Sequence, residues 1–178
     1  MKENHNLIKA FFQHLHTVNQ HRFLVCKLCF KMGLYRQGLT HDLSKYSPSE
    51  FWLGVKYYQG DRSPIDAERK DRGYSTAWLH HKGRNRHHWQ YWTDFQKGQI
   101  VQLEMPMEYI KEMICDRIAA CMVYQKEKYH PSSALEFLNK SREQHLMPQK
   151  TVAIVREMLT IVAENDLDTA MMIIRKKY

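Results

Sequence analysis

The sequence predicts an all-α fold, one compact helical domain of about seven to nine helices, and three observations carry that prediction. Apolar residues recur at three-to-four spacing over most of the 178 residues, the period of a buried helix face rather than of a strand. Two Ser-Pro pairs, Ser47-Pro48 and Ser63-Pro64, stand at the head of such patterns, where a hydroxyl cap and a first-position proline open helices. No internal repeat, low-complexity tract or long linker divides the chain, and its length suffices for one sizeable core.

The elements follow in order. Leu7, Phe11, His14, Val18, His21, Val25, Leu28 and Met32 describe one long helix with Gly33 near its end. A short helix then leads to His41-Asp42. Ser47-Pro48-Ser49-Glu50 opens a helix over residues 48–59, closed by Gly60, and Ser63-Pro64-Ile65-Asp66 opens another that runs to about Lys82. Gly83 breaks it before Arg84-Asn85-Arg86, and a shorter helix carries His88, Trp92 and Phe95 on one side. Residues 96–104 are the least regular; Gln99-Ile100-Val101-Gln102-Leu103 reads as at most a brief extended segment, too little for a sheet. Pro106 opens a helix to about Lys128, with Tyr109, Met113, Asp116, Ala120 and Val123 on one face, ended by His130-Pro131. Helices over about 132–143, 149–164 and 167–177 complete the chain.

With 43% hydrophobic and 12% aromatic residues the chain is globular rather than disordered. The polar start Met-Lys-Glu-Asn-His-Asn lacks a signal-peptide core, and no stretch nears the roughly 18 apolar residues of a membrane span. A soluble, cytoplasmic protein with no membrane partner is expected. The 27 Lys+Arg against 19 Asp+Glu leave +8, which favours anionic partners, either a small phosphorylated substrate or nucleic acid. Cys26, Cys29, Cys115 and Cys121 fall within helical patterns, so buried reduced thiols are expected rather than a zinc or redox site.

The chemistry concentrates on histidines and acids. His41 and Asp42 are adjacent, so imidazole and carboxylate can bind one cation from a single turn. His21 occupies a position on the first helix where an apolar residue is expected, with His14 two turns earlier as the competing candidate. Of the four histidines between 80 and 88, helical phase places His81 inward with Ala77 and Trp78, turns His80 by about 100°, and aligns His88 with Trp92. His87 is left as a residue that supports a ligand from behind or contacts substrate, the choice between His87 and His88 being close. Asp116 sits in Ile114-Cys115-Asp116-Arg117-Ile118, where an unpaired carboxylate is expensive. Lys82, Arg84 and Arg86 interleaved with Trp89, Tyr91 and Trp92 also fit a surface for single-stranded nucleic acid.

The order His, His-Asp, His, His, Asp resembles the HD superfamily of metal-dependent phosphohydrolases. His41-Asp42-Leu43-Ser44-Lys45 is similar to the His-Asp-x-Gly-Lys motif of its phosphodiesterases, with Ser44 in the glycine position. The runs His41 to Phe51 and Asn85 to Trp92 also resemble a family of small HD-like proteins of bacteria and phages that share His-Asp-x-Ser-Lys-(Tyr/Phe)-Ser-Pro-x-Glu-Phe and an Asn-x-His-His-x-x-Tyr-Trp-like element. The resemblance spans about residues 21–120; it implies a metal-site core within about 14–128 and a helical scaffold over 132–178. It further implies that His21, His41, Asp42 and Asp116 hold one ion and that His81 and His88 permit a second. By type these ligands suit Mn, Fe, Zn, Ni or Co.

On this resemblance the expected protein is a metal-dependent phosphohydrolase acting on a phosphomonoester or phosphodiester, with a nucleotide as the expected substrate, by a metal-activated hydroxide. Asp42 and Lys45 are the catalytic candidates. Lys45, Arg84, Asn85, Arg86 and His87 are the substrate-binding candidates, and Trp89 or Tyr91 a stacking surface for a base. The alternatives are a di-iron oxygenase of the HD type and a basic nucleic-acid-binding module with a vestigial metal site.

Overall fold

A computed structural model describes residues 6–178. Its long first helix, α1 (Leu7–Lys31), is capped by the Asn6 side chain accepting from Lys9 N–H. The expected stripe is buried from His14 through His21 and Val25 to Met32, whereas Leu7 is exposed. Gly33, at φ 77°, closes the helix. α2 (Tyr35–Thr40) folds back on α1 through Gly38, where an added Cβ would lie only 3.0 Å from Cys29 Cβ.

α3 (Pro48–Lys56) starts at the predicted proline. The predicted helix from Ser63 to Lys82 is two helices, α4 (Pro64–Arg72) and α5 (Thr76–Lys82). Gly73, at φ 80°, ends the first, and Ser75 Oγ accepts from Trp78 N–H to cap the second. Glu68 secures the break: its buried carboxylate accepts from Ser75 Oγ at 2.6 Å, Thr76 Oγ1 at 2.8 Å and Thr76 N at 3.1 Å.

The predicted helix carrying His88, Trp92 and Phe95 is also corrected. A single tight turn at Trp89–Trp92 leads into a hairpin of β1 (Thr93–Gln96) and β2 (Gln99–Gln102), with Phe95 paired to Ile100 and 70% exposed. Lys97 and Gly98 both take positive φ, the two-residue turn whose twist suits paired strands.

α6 (Met107–Gln125) is the central helix, and α7 (Ser133–Lys140), α8 (Gln149–Glu164) and α9 (Leu167–Lys177) pack around it and α1. Val25 and Cys29 of α1, Ile114 and Ile118 of α6, Leu159 of α8 and Ile174 of α9 are fully buried together. All four cysteines are free thiols; Cys29 and Cys115 are buried, Cys26 and Cys121 half-buried. No helix among the described residues is long and apolar enough to cross a membrane.

Candidate metal centre

α2 ends at Thr40, and Arg22 of α1 holds that end. Its guanidinium donates to the carbonyls of His41 at 2.7 Å and Leu39 at 3.2 Å and to Tyr46 Oη at 3.0 Å, groups that a helix end leaves unpaired. Asp42 then takes φ 53°, ψ 27°, a left-handed conformation that costs a non-glycine residue about 1–3 kcal/mol and collects at functional sites. The turn carries the Asp42 carboxylate inward, where it is 1% exposed.

Around Asp42 the distant residues of the sequence meet. His21 Nε2 lies 2.9 Å from Asp116 Oδ1 and 3.9 Å from Asp42 Oδ2; His41 Nε2 lies 3.4 Å from Asp42 Oδ2 and 3.7 Å from Asp116 Oδ1. On the other carboxylate oxygen, Asp42 Oδ1, converge His81 Nε2 at 3.3 Å and His87 Nε2 at 3.4 Å. Two sets of four ligands result, His21, His41, Asp42, Asp116 and Asp42, His81, His87, His88, each with ligand atoms within 4.8 Å of one another. Asp42 belongs to both. His87, expected to contact a ligand from behind or the substrate, stands among the candidate ligands beside His88, because the turn after Asn85 is not helical and both rings reach inward.

His14 joins neither set, so the choice between His14 and His21 falls to His21. His80 belongs to neither set and does not line the cavity beside the centre; its Nδ1 lies 2.5 Å from Glu50 Oε1.

The imidazoles are oriented from behind by two carboxylates that sequence reasoning did not single out for this role. Glu112 Oε1 accepts from His41 Nδ1 at 2.9 Å and lies 3.1 Å from His87 Nδ1. Glu50 Oε2 accepts from His81 Nδ1 at 2.8 Å, and its Oε1 from His80 Nδ1 at 2.5 Å. The Nε2 atoms of His41, His81 and His87 face Asp42, the arrangement of imidazoles that ligate metals. Glu50 read in sequence as part of a helix-start signal; Ser47 makes no side-chain cap, and Glu50 faces the histidines instead.

Burial opposes the charge on His41, but Asp42, Asp116 and Glu112 outweigh it and hold its pKa well above the usual value. Burial, then the charge of Lys45, lowers the pKa of His21; burial, then His87 and His81, pushes that of His88 well down. Burial opposes the charge on Asp42, but His41 and then Lys45 outweigh it and hold the carboxyl well below its usual range. Lys45 Nζ stands 2.6 Å from Asp42 Oδ2.

Whether these residues fit a metal ion can be read from their hydrogen bonding. His21 Nε2, His41 Nε2, His87 Nε2, His88 Nε2 and both Asp42 oxygens are buried with no hydrogen-bond partner, six of the nine such side-chain atoms among the described residues. Each orphaned buried polar atom costs about 1–3 kcal/mol, so six gathered within one cluster, even with Lys45 Nζ 2.6 Å from Asp42 Oδ2, fit a site for a metal ion. The close contact of His21 with Asp116 is one of distance only and lacks hydrogen-bond alignment.

Two cavities flank the cluster. One, of about 200 Å³, reaches Lys45, Asp116, His21, His81 and His88 and is otherwise largely apolar. The other, of about 350 Å³, is lined by Arg36, Arg84, Asn85, Arg86, His87 and Glu112. Lys45 and the two arginines, expected to share one phosphate, therefore face different cavities. Asn85 is buried and donates to the His81 carbonyl at 2.8 Å and Ser44 Oγ at 2.9 Å, a positioning contact. Trp89, expected as a stacking surface, is buried in the core with its Nε1–H donating to Glu143; Tyr91 remains exposed.

Fold and site together define an all-α domain with a buried His/carboxylate cluster able to hold metal. The chain belongs to a family of unknown function, DUF5662, whose match covers residues 10–161. No curated protein and no solved structure matches it.

Proposed function

We propose that the protein is a metal-dependent phosphohydrolase whose centre holds two divalent transition-metal ions, drawn from Mn, Fe, Zn, Ni and Co, with Asp42 shared between them. The observation that carries this reading is Asp42 itself, a fully buried carboxylate in strained backbone, its Oδ2 also paired with the Lys45 ammonium at 2.6 Å, with each oxygen facing its own set of imidazoles. The HD-like order of the ligands supports the same reaction class, and the +8 charge supports an anionic substrate, with a nucleotide as the class proposed.

Bound ions would acidify a water and polarise a phosphoryl oxygen. The chain's own part is to place charge and exclude solvent. Lys45, lining the cavity, neutralises developing negative charge on the phosphoryl group as a compact ammonium. Asp116, half-buried on the wall of that cavity, faces the substrate side, while Glu112 and Glu50 keep the Nε2 atoms of His41 and His81 directed at the centre.

The test is phosphate release from a panel of nucleotides and a simple aryl phosphate with Mn, Co, Ni, Fe or Mg added. Activity is expected that is abolished by chelation and by His41→Ala; activity that survives both would refute the reading. The shared carboxylate also favours a second reading, a di-iron oxygenase of the HD type. Iron content with a mixed-valent electron paramagnetic signal, and no phosphate release, would select it.

A further inference from the structure

We propose that the basic cavity flanking the centre is a binding site for a phosphate-bearing small molecule, separate from the cavity in which Lys45 stands, with Arg86 as its principal anchor and Arg36 and Arg84 beside it. The site stands whether or not the centre hydrolyses phosphate.

The two cavities share no lining residue. Of the metal cluster only His87, backed by Glu112, lines the basic one; Asp42 and Lys45 do not. The His87 ring is 1% exposed, with Nε2 3.4 Å from Asp42 Oδ1 and Nδ1 3.1 Å from Glu112 Oε1, so it stands between this cavity and Asp42. A phosphate held here is therefore a second ligand, not the group positioned at Lys45.

Three arginines line the space from two directions, Arg36 from α2 and Arg84 and Arg86 from the turn after α5. None of the three forms an ion pair among the described residues, whereas Arg62, Arg69, Arg72 and Arg117 all do. Two acids share the wall, and each has another duty. Glu112 supports His41 and His87, and Glu108 lies in the first turn of α6, where the helix dipole favours a negative charge. Cations gathered on one concave wall without a paired carboxylate call for an anion from outside.

Arg86 is also held in place before any ligand arrives. Its carbonyl accepts from Trp92 Nε1–H at 2.8 Å, its guanidinium donates to Tyr109 Oη at 3.2 Å, and the rings of Tyr91 and Tyr109 stand 5.8 and 5.9 Å from it. Its neighbours Asn85 and His87 are buried. Arg84 reaches only the His80 carbonyl, at 3.4 Å. A guanidinium ordered in advance loses less entropy on binding, and its planar fork matches two phosphate oxygens. The cavity, of about 350 Å³, falls within the roughly 300–1,000 Å³ of small-molecule sites. An extended nucleic-acid strand needs successive stacking platforms, and Trp89 is buried in the core.

The experiment is calorimetric titration of the full-length, metal-free protein with ribose 5-phosphate, inorganic phosphate, ribose and a thymidine oligonucleotide at constant ionic strength. Ribose 5-phosphate should bind, inorganic phosphate more weakly, and ribose not at all. Arg86→Gln should weaken ribose 5-phosphate by about tenfold or more, Arg36→Gln and Arg84→Gln by less, and Lys45→Gln should not. In the wild type, ribose 5-phosphate should also protect Arg86 from an arginine-selective dicarbonyl, read by mass spectrometry; this decides if the Arg86 variant does not fold. No phosphate binding, loss with Lys45→Gln but not with Arg86→Gln, an unprotected Arg86, or preference for the oligonucleotide would each overturn the proposal. Phosphate binding with no phosphate release from any nucleotide would overturn only the phosphohydrolase reading.

Discussion

Two faces of the same helix, α6, are built on opposite principles. Ile114 and Ile118 are fully buried in an apolar core shared with α1, α8 and α9, where every contact favours folding. Glu112 and Asp116, on the turns between, face α1 and α2 and belong to a cluster in which six buried polar atoms lack hydrogen bonds. The first face is explained by the chain alone. The second is a cost to folding unless something binds, and its arrangement, imidazoles converging on a shared carboxylate, is one that could hold a cation. The fold's stability resides in one region and its chemistry in the other, and substitutions should separate them.

The largest separation is expected at Asp42. Asp42→Ala should lower metal-dependent phosphate release by about 1,000-fold, on the order of 4 kcal/mol of transition-state stabilisation, and should abolish the rise in melting temperature that Mn or Co gives the wild type. Metal-induced stabilisation that persists in this variant would erase the contrast between the two faces.

Ile118→Ala should behave in the converse manner. Opening a cavity beside a fully buried isoleucine costs about 2–5 kcal/mol, read by denaturant unfolding, while the folded fraction retains its metal content. Loss of metal at unchanged stability would contradict the division.

A pH series sharpens the same comparison. His14 titrates at about 4 in the folded protein against an ordinary 6.5. Between these values the unfolded chain binds more protons, so stability is full above about pH 6.5 and falls as pH drops toward 4. His14 accounts for about 3 kcal/mol of that fall, and His21 and His88, also lowered, act in the same sense. Metal-free His14→Leu should therefore show a flatter loss over this range by chemical unfolding; an unchanged slope would contradict the assignment.

Smaller again is the effect of the carboxylates behind the rings. Glu112→Gln keeps the shape but loosens His41 and His87, and a 10–100-fold fall in metal affinity is expected, measured by competition with a chromophoric chelator. Wild-type affinity would mean that Glu112 serves packing only.

Much of this was legible in the sequence because it depends on local pattern. The apolar stripe of α1 points His21 inward, the proline starts place α3 and α4, and the acid at 116 stands out in an apolar run. What was not legible depends on tertiary contact or on turn geometry. Glu112 lies on a helix buried over most of its surface, where phase carries little information. Glu50 stood in a position where a helix-start signal explained it. The break at Gly73 with Ser75 as the next cap, and the Lys97-Gly98 turn between alternating residues, were signals present in the chain that longer helical patterns on either side outweighed. His87 emerged as a candidate ligand because the segment after Asn85 is a turn, to which helical phase does not apply.

The central claim, a two-ion centre bridged by Asp42, is tested most directly by elemental analysis of full-length protein reconstituted with Mn or Co, with anomalous scattering from its crystals. The account predicts two ions per chain on either side of Asp42, one lost in His21→Ala and the other in His88→Ala. A protein that takes up no ion, or one ion unaffected by either substitution, would contradict it.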